Sequence, residues 1–228
     1  MTQRVTIIIP TFNRLEGLKA LCHSILAHMG DYPHDVLVMI DGGHVETYRW
    51  ACGAGYNVFM SCRQRWYVAT MNTAVSLCET DLFCYLNDDM LITQVGWLEN
   101  AVKQFQGRFP DNIGLLKFTD GIQSRDGTAA CGMTSKDFVR AVYQHKTPFL
   151  WPEYKHFAAD TELTAIAKDI GLFLPTDIFI EHVRKDGDPL YKARGSNYMT
   201  ATVDGEREHW QHDVVELFAE RQKAGFPI

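Results

Sequence analysis

The sequence predicts an α/β fold with a mostly parallel central sheet flanked by helices. Short β-branched apolar runs alternate with segments of helical period through the first half of the chain. Three of those runs end in polar or glycine-rich residues, which would bring chemistry to one edge of the sheet. At 228 residues, 46% hydrophobic and 22% charged, the chain can bury a substantial core, and a single domain over residues 1–228 is expected.

The elements follow in order. RVTIII at residues 4–9 reads as a buried strand ended by Pro10. From Arg14, the residues Leu15, Leu18, Cys22, Ile25, Leu26 and Met29 recur at helical steps, and Gly30 closes that helix. DVLVMI at 35–40 is a second strand, running into Asp41-Gly42-Gly43. Residues 58–60 form a third strand, 68–77 a helix, and 82–86 a fourth strand that ends in Asn87-Asp88-Asp89. A helix from Trp97 to about Gln106, an irregular strand at 115–118 and a helix at 135–143 follow. Lys146 to Lys155, with Pro148 and Pro152 among aromatics, reads as a loop. Asp160 opens a helix stopped by Gly171, residues 173–181 are extended with an interruption at Pro175, and a last helix spans about 207–223.

Charge and composition narrow the function. Lys plus Arg number 22 against 28 Asp plus Glu, a net charge of −6, so obligate electrostatic binding to nucleic acid is not expected. No apolar stretch approaches the roughly 18 residues of a membrane span, and the N-terminal apolar run breaks at Pro10, so neither an integral membrane segment nor a signal peptide is expected. The 6 cysteines form no Cys-x-x-Cys pair and read as reduced thiols of a cytoplasmic protein.

Asp88 and Asp89 follow a buried strand directly. Adjacent carboxylates there repel unless a cation or hydrogen-bond donors neutralise them. Mg²⁺ or Mn²⁺ would do so, since these ions take one or two protein carboxylates together with phosphate oxygens. The alternative is a solvated Asx-rich turn.

The succession Ile-Ile-Ile-Pro-Thr-Phe-Asn-Arg, Asp-Gly-Gly and Leu-Asn-Asp-Asp, each closing a strand, resembles the glycosyltransferase family 2 enzymes of the GT-A fold. Ala69-Thr-Met-Asn72 stands where such proteins have Ala-x-Arg-Asn, and Ala159-Asp-Thr-Glu-Leu163 is similar to their Glu-Asp-x-Glu-Leu motif. Asn87 replaces the first acid of their Asp-x-Asp motif, and Met71 replaces an arginine.

The resemblance implies a metal-dependent inverting transfer from a nucleoside diphosphate sugar, a UDP-sugar in the first instance, to an acceptor hydroxyl. Residues 1–118 would then bind the donor, and 119–228 the acceptor. It implies Asp89 as principal metal ligand, Asp88 on the metal or the ribose, and Asn87 on a ribose hydroxyl. Asp41 would read the nucleobase edge, unless it serves only an Asp-Gly turn. Pro10, Thr11, Asn13 and Arg14 would line the nucleotide pocket, with Arg65 pairing phosphate and Asn72 in the binding set. Asp160 is the candidate base for the acceptor hydroxyl, its ionised form favoured by the helix N-terminus. A simple helix cap is the alternative there, and Glu162 is the substitute base. His182 would complete the metal site or else be a surface histidine; His209 and His212 are left out of the metal set.

The acceptor class stays open among a saccharide, a lipid-linked sugar, a protein and a modified nucleobase, as does the oligomeric state. Two other functions compete. A sugar nucleotidyltransferase would carry a glycine-rich phosphate loop where this chain has Pro-Thr-Phe-Asn-Arg. A noncatalytic nucleotide- or carbohydrate-binding module would keep the fold and lose the reaction.

Overall fold

A computed structural model describes residues 3–120, 127–183 and 211–226. Eight strands form the sheet in the order β3-β2-β1-β4-β7-β6-β8-β5. In chain order they are β1 (Val5–Thr11), β2 (His34–Ile40), β3 (Asn57–Met60), β4 (Leu82–Tyr85), β5 (Met90–Ile92), β6 (Leu115–Thr119), β7 (Gly132–Ser135) and β8 (Phe173–His182). The helices are α1 (Leu15–His28), α2 (Val45–Gly53), α3 (Trp66–Leu77), α4 (Trp97–Arg108), α5 (Lys136–Tyr143) and α6 (Ala159–Asp169). A π-helical segment, Gln211–Phe218, runs into α7 (Ala219–Lys223).

β3, β2, β1 and β4 are all parallel, as the alternation of strand and helix predicts. Beyond β4 the sheet is mixed: β7 pairs antiparallel with β4 and β6, β8 runs parallel to β6, and β5 pairs antiparallel with β8. The unbroken apolar run of β1 is explained by burial on both faces. Val5, Ile7 and Ile9 pack with Leu18, Leu21 and Ile25 of α1 and with Trp97 and Phe105 of α4. Ile8 belongs to the opposite layer, with Val68 and Met71 of α3, Phe138 of α5 and Leu163 of α6.

β1 does not end at Pro10 as expected but continues to Thr11, in register with Ile40 of β2. Ile8 turns its carbonyl to Leu86, and its pairing with Tyr85 is the last between β1 and β4. Pro10, two residues on, turns to that same side past the end of the pairing, so its missing N–H breaks no ladder bond. β8 is likewise continuous through Pro175, with the irregularity taken up opposite it between Lys117 and Thr119 of β6. α2, β5 and β7 were not expected. The last helix is described only from Gln211, so its expected start at 207 lies outside the described residues.

Candidate nucleotide and metal site

The carboxyl ends of β2, β1 and β4 lie side by side, and each delivers its polar residues to one edge: Asp41 after β2, Thr11 to Arg14 from β1, and Asn87 to Asp89 after β4. α1 starts directly beneath this edge. Arg14 is its N-cap residue, and Gly17 in its first turn comes so close to the acidic corner that a Cβ there would lie 2.5 Å from the Asp88 carbonyl oxygen.

The two adjacent acids do not share a cation, because each has its own. Arg14 Nε lies 3.0 Å from Asp88 Oδ1, and His182 Nε2 lies 3.1 Å from Asp89 Oδ2. The repulsion that pointed to a divalent ion is therefore relieved by two side chains of the protein itself. His182 arrives because β8 pairs with β5 in a register that sets His182 opposite Met90; Val183 N–H then donates to the Asp89 carbonyl at 2.8 Å. His182 is part of the corner and not an isolated surface histidine. A third acid, buried Asp120 at the end of β6, has Oδ2 3.7 Å from His182 Nδ1.

Electrostatics follow this geometry. The carboxylates of Asp120 and Asp89, opposed by burial, push the His182 imidazole from 6.5 up to about 9. Burial alone would raise the Asp89 carboxyl, but the His182 hydrogen bond and the charges of His182 and Arg14 outweigh it and bring the group below its ordinary value.

Among the described residues no group of three or more His, Cys, Asp or Glu side chains forms a ready cage for a metal. The donor set nevertheless suits an ion held mainly by its substrate. Asp89 Oδ1 is buried with no hydrogen-bond partner among the described residues. With the adjacent imidazole, once that ring has given up its proton, it makes a carboxylate and nitrogen pair of the kind Mn²⁺ accepts alongside phosphate oxygens. Asp88, turned to Arg14, is the less available of the two acids.

Asp41 is buried, with both oxygens engaged: Oδ1 accepts Arg65 N–H at 2.6 Å and Oδ2 accepts Trp66 N–H at 2.9 Å, with the Ser61 hydroxyl 3.2 Å from Oδ1. It thereby anchors the start of α3, where Trp66 adopts φ +68°. For so bulky a residue this is a strained backbone that other bonds must hold in place. Arg65 contributes its amide here, and its residue is exposed. Asn72 has its side-chain amide engaged within the chain: it donates to the Leu150 carbonyl at 2.9 Å and accepts the Leu150 N–H at 2.7 Å, pinning the loop before α6. Thr11 Oγ1 is buried and has no partner among the described residues. Asn13 is exposed at φ +54°, while Pro10 and Asn87 are half-buried.

Asp160 sits in the first turn of α6, but Ala158 and not Asp160 is the cap residue. Its Oδ1 accepts the N–H of Thr161 at 2.9 Å. Glu162, the substitute base, is fully buried in bonds to Arg221, Tyr154 and Tyr143, and is structural. Tyr67 lies in the first turn of α3, and burial first, then the charges of Asp160, Cys131 and Asp89, push its phenol up. Sequence reading missed Tyr67, Asp120 and Arg221, each ordinary in its local sequence and brought in by tertiary pairing.

A mostly parallel sheet with an acidic corner at its carboxyl edge is the arrangement of a GT-A-type fold. The glycosyl transferase family 2 profile matches residues 6–154, and the chain belongs to that family. It is 27% identical over 139 residues to the O-antigen biosynthesis protein RfbC of Myxococcus xanthus, a match that takes in 58% of this chain and 11% of that protein. Among solved structures it resembles a mannosyltransferase, PcManGT of Pyrobaculum calidifontis, in complex with GDP-Man and Mn²⁺, with a TM-score of 0.68 and 17% identity over 98% of this chain and 65% of that one. It also resembles glucosyl-3-phosphoglycerate synthase of Mycobacterium tuberculosis in complex with Mn²⁺, UDP and phosphoglyceric acid, with a TM-score of 0.60 and 12% identity over 84% of this chain and 73% of that one. The chain thus spans about a tenth of the curated relative's length. No helix among the described residues is long and apolar enough to cross a membrane.

Proposed function

We propose that this chain is a metal-dependent inverting glycosyltransferase that moves a sugar from a nucleoside diphosphate sugar, a UDP-sugar in the first instance, to an acceptor hydroxyl. The observation that carries the reading is the pairing of Asp89 with His182 at the nucleotide edge, where a buried carboxylate oxygen is left over. Membership of the family and the Mn²⁺ and nucleotides bound by the structural neighbours support it.

Asp89 and His182 would hold the ion, which when bound supplies Lewis-acid compensation for the charge of the departing diphosphate. The remaining work belongs to the chain. Thr11 and Arg14 line the donor pocket, and Arg14, fixed beside Asp88, keeps a positive charge next to the diphosphate position. Asp41 holds the Arg65–Trp66 turn that walls the pocket. Asp160 accepts the proton of the acceptor hydroxyl as its oxygen bonds to the anomeric carbon and the carbon–oxygen bond to the diphosphate breaks. One attack from the face opposite the leaving group inverts the centre. The acceptor belongs to the classes named above: saccharide, lipid-linked sugar, protein or modified nucleobase.

The test is incubation with UDP-glucose and GDP-mannose, with Mn²⁺ and with chelator, following nucleotide release and the anomeric configuration of the product by NMR. Mn²⁺-dependent release with inverted product is expected. Release that persists in chelator removes the metal from the reading, a retained configuration removes the single-base mechanism, and pyrophosphate in place of nucleoside diphosphate removes the transferase.

A further inference from the structure

α6, which carries Asp160, begins without a cap of its own. Ala158 stands at the cap position with φ +60° and makes no side-chain cap bond, although an unsupported helix start leaves several amides without acceptors. The loop that leads into this helix is held by a residue from far along the chain. The Asp213 carboxylate, fully buried, accepts three successive amides just before the helix: Lys155 at 3.1 and 3.0 Å to its two oxygens, His156 at 2.7 Å and Phe157 at 2.9 Å. Further along the same segment the buried Arg221 guanidinium donates to both oxygens of Glu162, at 2.7 and 2.8 Å. It also lies 3.9 Å over the Trp151 ring. Tyr154 hydroxyl donates to Glu162 at 2.7 Å, which ties the loop to the helix within the same cluster.

We infer that Asp213 and Arg221 are positioning residues for the transfer reaction: the C-terminal segment clamps the loop 155–157 and the first turn of α6, and so fixes where the Asp160 carboxylate stands. The clamp grips Asp160 from both sides in sequence, through the amides before it and the carboxylate of Glu162 after it. Charge-assisted bonds to backbone amides and a two-pronged arginine pair are rigid, directional links. A base must meet its proton within hydrogen-bond reach, and a displacement of about 1 Å costs on the order of a hundredfold in rate. The donor pocket is built by β1, β2, β4 and α1 and walled by the Arg65–Trp66 turn; the clamped loop meets only that wall, where the Lys155 carbonyl accepts the Val68 N–H at 3.1 Å and His156 packs on the Trp66 ring. The inference rests on the proposed role of Asp160.

The experiment compares Asp213→Ala, Asp213→Asn, Arg221→Lys and Asp160→Asn in the full chain. Three quantities are read: UDP and GDP affinity by calorimetry with Mn²⁺, the turnover of UDP-glucose and GDP-mannose hydrolysis, and amide hydrogen exchange over 155–163. Asp213→Ala and Arg221→Lys should quicken exchange at 155–163 and lower turnover by about a hundredfold while nucleotide affinity falls far less. Asp213→Asn, which keeps the shape and one strong acceptor, should recover part of the turnover. Parental exchange at 155–163 in both Asp213→Ala and Arg221→Lys overturns the clamp whether or not turnover is seen. Nucleotide affinity lost in step with turnover also overturns it, because the role is then general stability. Parental turnover in Asp160→Asn removes the base assignment instead and leaves the exchange result to decide the clamp.

Discussion

His182 Nε2 stands 3.1 Å from Asp89 Oδ2 across 93 residues of sequence. β8 and β5 pair antiparallel with Met90 opposite His182, so the imidazole meets the acid that ends the β4 loop. The imidazole is raised from 6.5 to about 9 by Asp120 and Asp89, and Asp89 is lowered from 3.8. In chelator, the stabilisation from the raised histidine is complete below pH 6.5 and is lost as pH climbs through about 9. That from the lowered acid is present above 3.8 and lost as pH falls through its folded value. The difference in thermal midpoint between the parent and His182→Gln should therefore be largest between about pH 4 and 6.5 and shrink toward pH 9. A difference that grows between pH 7 and 9 contradicts the pairing.

Asp89→Asn keeps the size of the side chain and removes its charge. Mn²⁺-dependent nucleotide release should fall by about a thousandfold, corresponding to several kcal/mol of lost charge compensation. Asp88→Asn, at the acid already committed to Arg14, should fall less. Steady-state rates at saturating Mn²⁺ order the two, and equal losses would make both acids ligands.

Gly17 tests the seating of α1 under the corner. In Gly17→Ala the new methyl carbon would lie 2.5 Å from the Asp88 carbonyl oxygen, which is backbone and cannot swing aside. The chain must shift, at a cost of about 1–3 kcal/mol. A urea midpoint should show the destabilisation, and nucleotide affinity should fall with it. Replacement at Gly107, where a Cβ meets nothing within 4 Å, is the control.

Asp41→Ala removes the acceptor of the Arg65 and Trp66 amides at the strained start of α3. An unsatisfied buried donor costs about 1–3 kcal/mol, and the positive φ at Trp66 loses what holds it. Chemical denaturation should show a lower midpoint, and Asp41→Asn, which keeps one acceptor, an intermediate value. If Asp41 instead served the nucleobase alone, stability would be unchanged and only nucleotide affinity would fall.

The parallel half of the sheet was legible because β1, β2 and β4 are apolar on both faces, and the edge they form could be read from the residues that end them. β7 was not: Gly132, Met133, Thr134 and Ser135 are all buried, but only Met133 is a large apolar residue. Thr134 hides its hydroxyl by donating to the Gly114 carbonyl at 2.7 Å. α2 buries just Thr47 and Ala51, too few for a helical period to show. The acidic corner was legible as a pair of adjacent carboxylates, and the family resemblance put Arg14 and His182 at the site, but their pairing with Asp88 and Asp89 was not legible, since it depends on the seating of α1 and the register of β8. The links from Asp213 and Arg221 to α6 are long-range, and no local pattern announces them.

The Arg14–Asp88 pair bears on the order of events at the site. Asp88 faces Arg14, and Asp89 and Asp120 both face His182, so much of the corner's negative charge is offset by cations of the chain before anything enters, which lessens its attraction for a free metal ion. Under the proposed function, an ion held there would gain most of its hold from the diphosphate oxygens, and would then load and leave together with the nucleotide.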